Sequence, residues 1–330
     1  MKAFALLFAF LLPACSHVAD LEPPPPDASP AKHGRRPMAG PEQAGPVPSS
    51  TEPAAHRPEP PALPRVATAE ERAKYTYLPE GASIRPLDRA VATPAGYQRI
   101  EQQDGTFGGW LRGLPLRDAS AEVHAYDGSV LRRADDRRVW AVAELDVSPI
   151  DVQQCADSVI RMHAEWLWSR GDKAKIGYHF LSGDYATYQA YAGGERPQVD
   201  GNKVKWGRSA AASDSRKTFR SYLDMVFNYA STISLAHRAK KLDKADLAPG
   251  DFFVLPGGPG HAILILDVAI DASGKRVALL GQGFMPAQDF HVLESGEAGV
   301  SPWFSLEGDA VDTPFWPEPF PWSSLRRFGG

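Results

Sequence analysis

Fourteen of the thirty prolines in this 330-residue chain fall between Ser16 and Arg65, in runs such as "LEPPPPDASP" and "HRPEPPALPR". Proline fixes φ and donates no backbone hydrogen bond, and the stretch holds too few apolar residues to bury a core. Residues 16–69 therefore read as a disordered, partly polyproline tether, able to extend on the order of 150 Å at about 3.1 Å per residue. What can pack lies in residues 70–330. That length suits one large domain, and no internal repeat or second linker divides it.

The chain opens "MKAFALLFAFLLPACSH". One lysine precedes an apolar run too short to span a bilayer but suited to a secretory signal. Ala14 directly before Cys15 resembles the lipobox of bacterial lipoproteins. That resemblance implies a signal peptide over residues 1–15, lipidation of Cys15 and a membrane anchor made of acyl chains. Ser16 in the next position favours, in a Gram-negative envelope, the outer membrane facing the periplasm. The formal net charge of −4 comes from acidic and basic residues mixed along the chain. No basic stripe of the kind a nucleic-acid binder presents is visible, and a monomer is expected.

Two cysteines are present, and setting Cys15 aside leaves Cys155 alone. No intrachain disulfide is then available, so the thiol is reactive, pairs with another chain or is buried. It lies in "SPIDVQQCADSVIRMHAEWLW" (148–168). There Val152, Cys155, Val159, Met162 and Trp166 form a stripe at helical spacing, with Ala156, Ile160, His163 and Leu167 beside it. The pattern predicts a helix over 151–168, capped by Ser148 or by Asp151 and ended by Gly171. A second helix is predicted over 215–237, with Phe219, Tyr222, Leu223, Val226, Phe227, Ala230 and Ile233 inward.

The remainder leans to strand: "RRVWAVAELDV" (137–147), "GDFFVLP" (250–256), "HAILILDVAI" (261–270) and "KRVALLGQGF" (275–284). A "DASG" hairpin signal joins the last two. Helix followed by adjacent antiparallel strands indicates a single α+β domain. The proline- and aromatic-rich tail "SPWFSLEGDAVDTPFWPEPFPW" is expected to wrap irregularly over it.

G-x-S-x-G, H-E-x-x-H, P-loop and C-x-x-C motifs are all absent. What remains is Cys155 near a helix start, His261 entering a strand and Gln282 on the next strand. A helix N-terminus and a histidine stabilise a thiolate; the histidine shuttles the thiol proton, and a third polar residue orients the imidazole. Cysteine on a core helix packed on an antiparallel sheet, with histidine and orienter on neighbouring strands, is the papain-like arrangement. By resemblance to papain, where a glutamine upstream of the cysteine does so, Gln153 or Gln154 would donate to the oxyanion; neighbouring backbone amides are the alternative donors. Asp267 is the rival orienter. Arg161, Ser182, Asp184, Trp206 and Gly260 are candidates for the substrate cleft. His291 with His261 and Asp267 offers a zinc-type donor set, but nothing in the spacing demands it, and neither metal nor cofactor is expected.

"APGDFFVLPGGPGHAILILDVAIDASGKRVALLGQGF" resembles the second half of bacterial cell-wall peptidases of the NlpC and CHAP types, in which a histidine opens a strand in a "GHVGI"-like phrase. The resemblance implies that His261 is the catalytic histidine and Gln282 the third polar residue. Around the cysteine this chain has "QQCADS" where those enzymes have "DCSG". Over nearly the whole folded part, the phrases "GTFGGWLRGLPL", "AYDGSVL", "DVQQCADSVIRMHAEWL", "FLSGDY", "GDFFVLPGGPGHAILILDVA" and "GFMPAQDFHVL" resemble the secreted bacterial proteins grouped as domain-of-unknown-function family 4846. The resulting expectation is an envelope-anchored cysteine amidase or peptidase acting on peptidoglycan peptides or a related amide. The alternative is a catalytically silent relative that binds a cell-wall fragment or a protein. The enzyme reading requires the sulfur within reach of an imidazole nitrogen, Gln282 on the other ring nitrogen, and a groove that exposes the sulfur. A sealed sulfur would make Cys155 a core residue.

Overall fold

The continuous apolar runs come together as neighbouring strands of one antiparallel sheet. A computed structural model describes residues 64–329, all within one compact unit; the expected signal peptide, Cys15 and most of the tether lie outside the described residues. The strand Arg65–Val66 pairs with Ser83–Pro86, and Thr68 caps the helix Ala69–Lys74. Regular structure thus begins a few residues ahead of position 70.

The main sheet is built from β1 (Val139–Val142), β2 (Lys240–Lys241), β3 (Phe252–Leu255), β4 (His261–Asp271), β5 (Arg276–Gln282), β6 (His291–Leu293) and β7 (Leu325–Arg327). Their spatial order is β2-β7-β3-β4-β5-β6-β1, and every pairing is antiparallel. Tyr97–Arg99 adds to the far half of β4, and Phe304–Ser305 to β5. The turn between β4 and β5 is the expected "DASG" hairpin. Asp271 accepts from the backbone N–H groups of Ser273 and Lys275, and Gly274 takes φ +90°. Only a residue without Cβ holds that backbone cheaply.

Both faces of β4 are buried, which explains a run without polar alternation. Ala262, Leu264 and Leu266 join the larger core with α1 (Cys155–Ser169), α2 (Arg216–Tyr229) and α3 (Thr232–Arg238). Ile263, Ile265 and Val268 face a second core closed by Phe253, Leu325 and Phe320. The helix predicted over 215–237 is in fact two. Ser231 adopts extended backbone (φ −162°, ψ 172°), and its hydroxyl accepts from the Ser234 N–H, capping α3. The apolar stripe continues across that break, so periodicity alone passes over it. The tail is also more regular than expected: it forms a hairpin, Ala310–Thr313 with Trp316–Pro321, and then β7.

A bulge in β4 between Ile265 and Asp267 turns the Asp267 carboxylate, wholly buried, onto two guanidiniums. Its Oδ2 accepts from Arg99 Nε at 2.6 Å, and its Oδ1 accepts from Arg112 Nη2 at 2.6 Å. Asp267 therefore holds the 97–112 segment to the sheet and does not orient His261. Asp267→Ala would leave two largely buried cations unpaired, so we expect a loss of about 3–5 kcal/mol, measured by denaturant unfolding. A loss below about 1 kcal/mol, the ordinary worth of an exposed pair, would contradict this role.

Candidate active site

Neither predicted cap starts α1. Ser148 donates from its hydroxyl to Asp224 at 2.5 Å, and Asp151 accepts from the Ala287 backbone N–H at 2.7 Å. Gln154 takes the cap position with extended backbone, and Asp157 reaches back to accept from its N–H at 3.1 Å. Cys155 is thereby the first helical residue, closer to the positive end of the helix dipole than expected.

That position does not produce a thiolate. Cys155 is 4% exposed, and its thiol donates to the carbonyl of Gly260 at 3.8 Å. The Ala262 backbone N–H also points at the sulfur, but burial, reinforced by Asp157, outweighs it and pushes the thiol up to about 12. The expected groove exposing the sulfur is absent, because α1 lies against the sheet and its first turn is sealed there. A Cβ on Gly283 would fall 2.2 Å from Ser158 Oγ, a measure of how close that approach is.

His261 and Gln282 do meet, as the sequence led us to expect. His261 Nε2 and Gln282 Oε1 are 2.7 Å apart, and the chain of contacts continues. Gln282 Nε2 stands 3.3 Å from His291 Nε2, and His291 Nδ1 lies 3.1 Å from the Asp289 carbonyl. Donor and acceptor roles follow from the carbonyl end. A carbonyl only accepts, so His291 Nδ1 carries the proton and its Nε2 accepts from the Gln282 amide. Gln282 Oε1 then accepts from His261 Nε2–H. His261 Nδ1 is left as a bare lone pair, and among the described residues it has no hydrogen-bond partner.

That lone pair does not reach the thiol. His261, Gln282 and His291 lie on the sheet face that carries Ile263, Leu280 and Leu293, whereas α1 packs on the face of Ala262 and Leu264. Trp316 stacks on the imidazole at 4.8 Å, with Phe284 at 5.0 Å and Phe320 at 5.9 Å. Burial lowers both His261 and His291 to about 4.

The other candidates are dispersed. Gln153 is buried, and its Oε1 accepts from Arg161 and Arg220; Gln154 donates to Asp151. Arg161 is not in a cleft but fully buried, donating to Glu165 at 2.6 Å and to Asp146 at 2.7 Å. Ser182 donates to Asp184 in an exposed turn, and Trp206 stacks on Phe180 in a hairpin. Gly260 adjoins the sulfur only through its carbonyl. His291 joins His261 through Gln282 rather than through a shared ion, with Asp267 elsewhere; among the described residues no cluster of three metal-type donors forms. Sequence reasoning missed Trp316 and the relay role of His291. The register that sets His291 opposite Gln282 is a property of the folded sheet and has no local signal in the sequence.

Three buried histidines make stability acid-sensitive. Burial lowers His163 to about 3, and His261 and His291 to about 4, from an ordinary 6.5. Each folded value lies below the unfolded one, so the unfolded chain binds more protons in between. Their contribution is intact above pH 6.5 and is lost as pH falls towards 4. We expect the thermal midpoint to drop steadily across that window, and His163→Phe to flatten the drop; a midpoint constant over the window would refute it.

No curated protein and no solved structure matches the chain. One family model does, over residues 87–327, and its match takes in every strand of the main sheet together with α1, His261 and Gln282. The chain therefore belongs to the family described as Domain of unknown function (4846).

Proposed function

We propose that the folded unit is a binding module of the bacterial cell envelope, held to the membrane through a lipidated Cys15, and that Cys155 is a packed thiol. The observation that carries this reading is the sulfur itself: buried, raised to about 12, bonded to a backbone carbonyl and, among the described residues, without a hydrogen bond to an imidazole. A nucleophilic cysteine needs a populated thiolate and an approach for the substrate carbonyl. The occupant is then a cell-wall fragment or a protein held by surface chemistry.

One observation favours the papain-like hydrolase instead. The bare Nδ1 of His261, with Gln282 fixing Nε2–H, is the tautomer a general base in such an enzyme uses. For the enzyme to operate, the thiol would pass its proton to Nδ1 and attack the amide carbon, and the imidazolium would return that proton to the leaving amine. This sequence requires the Cys155 side chain to leave Gly260 and Trp316 to uncover the imidazole.

Thiol labelling separates the two readings. In the full chain carrying Cys15→Ser, Cys155 should react with a disulfide reagent near neutral pH far more slowly than free cysteine, and at full speed only on unfolding. Rapid labelling governed by a pKa below about 8.5 would overturn the proposal. So would release of amino groups from purified peptidoglycan that is abolished by both Cys155→Ser and His261→Ala.

A further inference from the structure

The C-terminal part of α1, from Ile160 to Leu167, forms one wall of a cavity of about 420 Å³. Its volume is within the ordinary range for a small-molecule site. The other walls come from the hairpin Gly177–His179 with Tyr185–Thr187, from the end of α3, and from Phe328.

The body of the cavity is flat and aromatic. Phe328 stacks on His163 at 4.0 Å, nearly parallel, and Trp166 stands beside His163. Burial lowers His163 to about 3, and its Nδ1 is already engaged with the Tyr178 hydroxyl at 2.9 Å, so this wall is neutral. Tyr185 lies across Gly177, where a Cβ would fall 2.4 Å from its hydroxyl, so glycine is what lets the ring sit there. That ring is half exposed at the mouth and packs on the His179 ring, with centroids 4.7 Å apart, so its free face is turned to the cavity side of the hairpin.

The rim is cationic. Lys175 and Arg238 line the cavity, and no aspartate or glutamate does. The exposed Arg238 guanidinium lies against Gly183 and has no ion pair among the described residues. Lys175 has only a loose partner, Asp172 at 3.7 Å. Lys240 and Lys241, two and three residues after Arg238 in the exposed strand β2, add positive charge nearby.

We infer that this cavity is a binding site for a small organic anion with a flat apolar body, the body lying between Phe328 and Tyr185 and the anionic group meeting Arg238 and Lys175. The inference rests on the binding-module reading for its biological meaning, while the chemistry of the site is independent of Cys155.

The test uses the full chain and two probes of nearly the same shape, 8-anilinonaphthalene-1-sulfonate and the uncharged N-phenyl-1-naphthylamine, followed by fluorescence titration. The sulfonate should saturate one site with an affinity about tenfold above that of the neutral probe, an advantage that shrinks with added salt. Lys175→Gln with Arg238→Gln should remove that advantage and leave neutral-probe binding unchanged. Tyr185→Ala should weaken both. All three side chains reach solvent, so the thermal midpoint should hold. Equal affinity for the two probes in the unaltered chain, or no response to either variant, would overturn the site. Slow thiol labelling would still stand in that event, so failure of the site and failure of the binding-module reading are told apart.

Discussion

Burial of β4 on both faces is the constraint around which the molecule is arranged. A strand covered from both sides has no water for its polar side chains, so each must be satisfied from within. Asp267 is answered by Arg99 and Arg112, drawn in from a segment more than 150 residues earlier. His261 is answered at Nε2 by Gln282 and, through it, by His291 and the Asp289 carbonyl, while its Nδ1 stands as an exception without a partner among the described residues. The pairing of β4, β5 and β6 is thus reinforced by side chains where these strands carry polar groups.

The same logic governs α1. Arg161 is wholly buried on it, and its charge is met by Glu165 and Asp146, with Arg216 completing the cluster from α2 at 2.5 Å. Arg220, also on α2, reaches Gln153 and Ser148. Such a network is weak evidence for stability in itself. It ties α1, α2 and the 146–153 segment together through side chains drawn from all three. The residues that looked in sequence like a capping signal and an oxyanion donor, Ser148 and Gln153, belong to this lattice.

Much of the fold was legible because it depends on local signals: the stripe of α1, the "DASG" hairpin and the apolar runs of β3, β4 and β5. The pairing of His261 with Gln282 was legible too, since adjacent antiparallel strands bring their ends together. What could not be read was the face on which His261 sits. A strand buried on one side announces its inner face by alternation, whereas β4 is apolar on both faces from Ala262 to Leu266 and carries no period of two. The cysteine's stripe pointed to the sheet, and the histidine's strand lay beneath it. One peptide unit, between the Gly260 carbonyl and the His261 side chain, separates that proximity from a working dyad. The start of α1 was misplaced for a different reason: glutamine is a poor capping residue, and the better ones nearby were engaged elsewhere.

The place of β7 bears on how the chain can fold as it is made. Leu325–Arg327 lies between β2 and β3, pairing Lys240 with Arg327 on one side and Phe253 with Leu325 on the other. Until residue 327 has left the ribosome, β2 and β3 have no bridge, and β3 has an open edge of unpaired amides and carbonyls. Closing that gap joins positions some 70 to 90 residues apart, an entropic cost met late and in one step. Completion of the sheet therefore waits until Leu325–Arg327 has emerged, with the β3 edge exposed to chaperones, or to another nascent copy, in the interval.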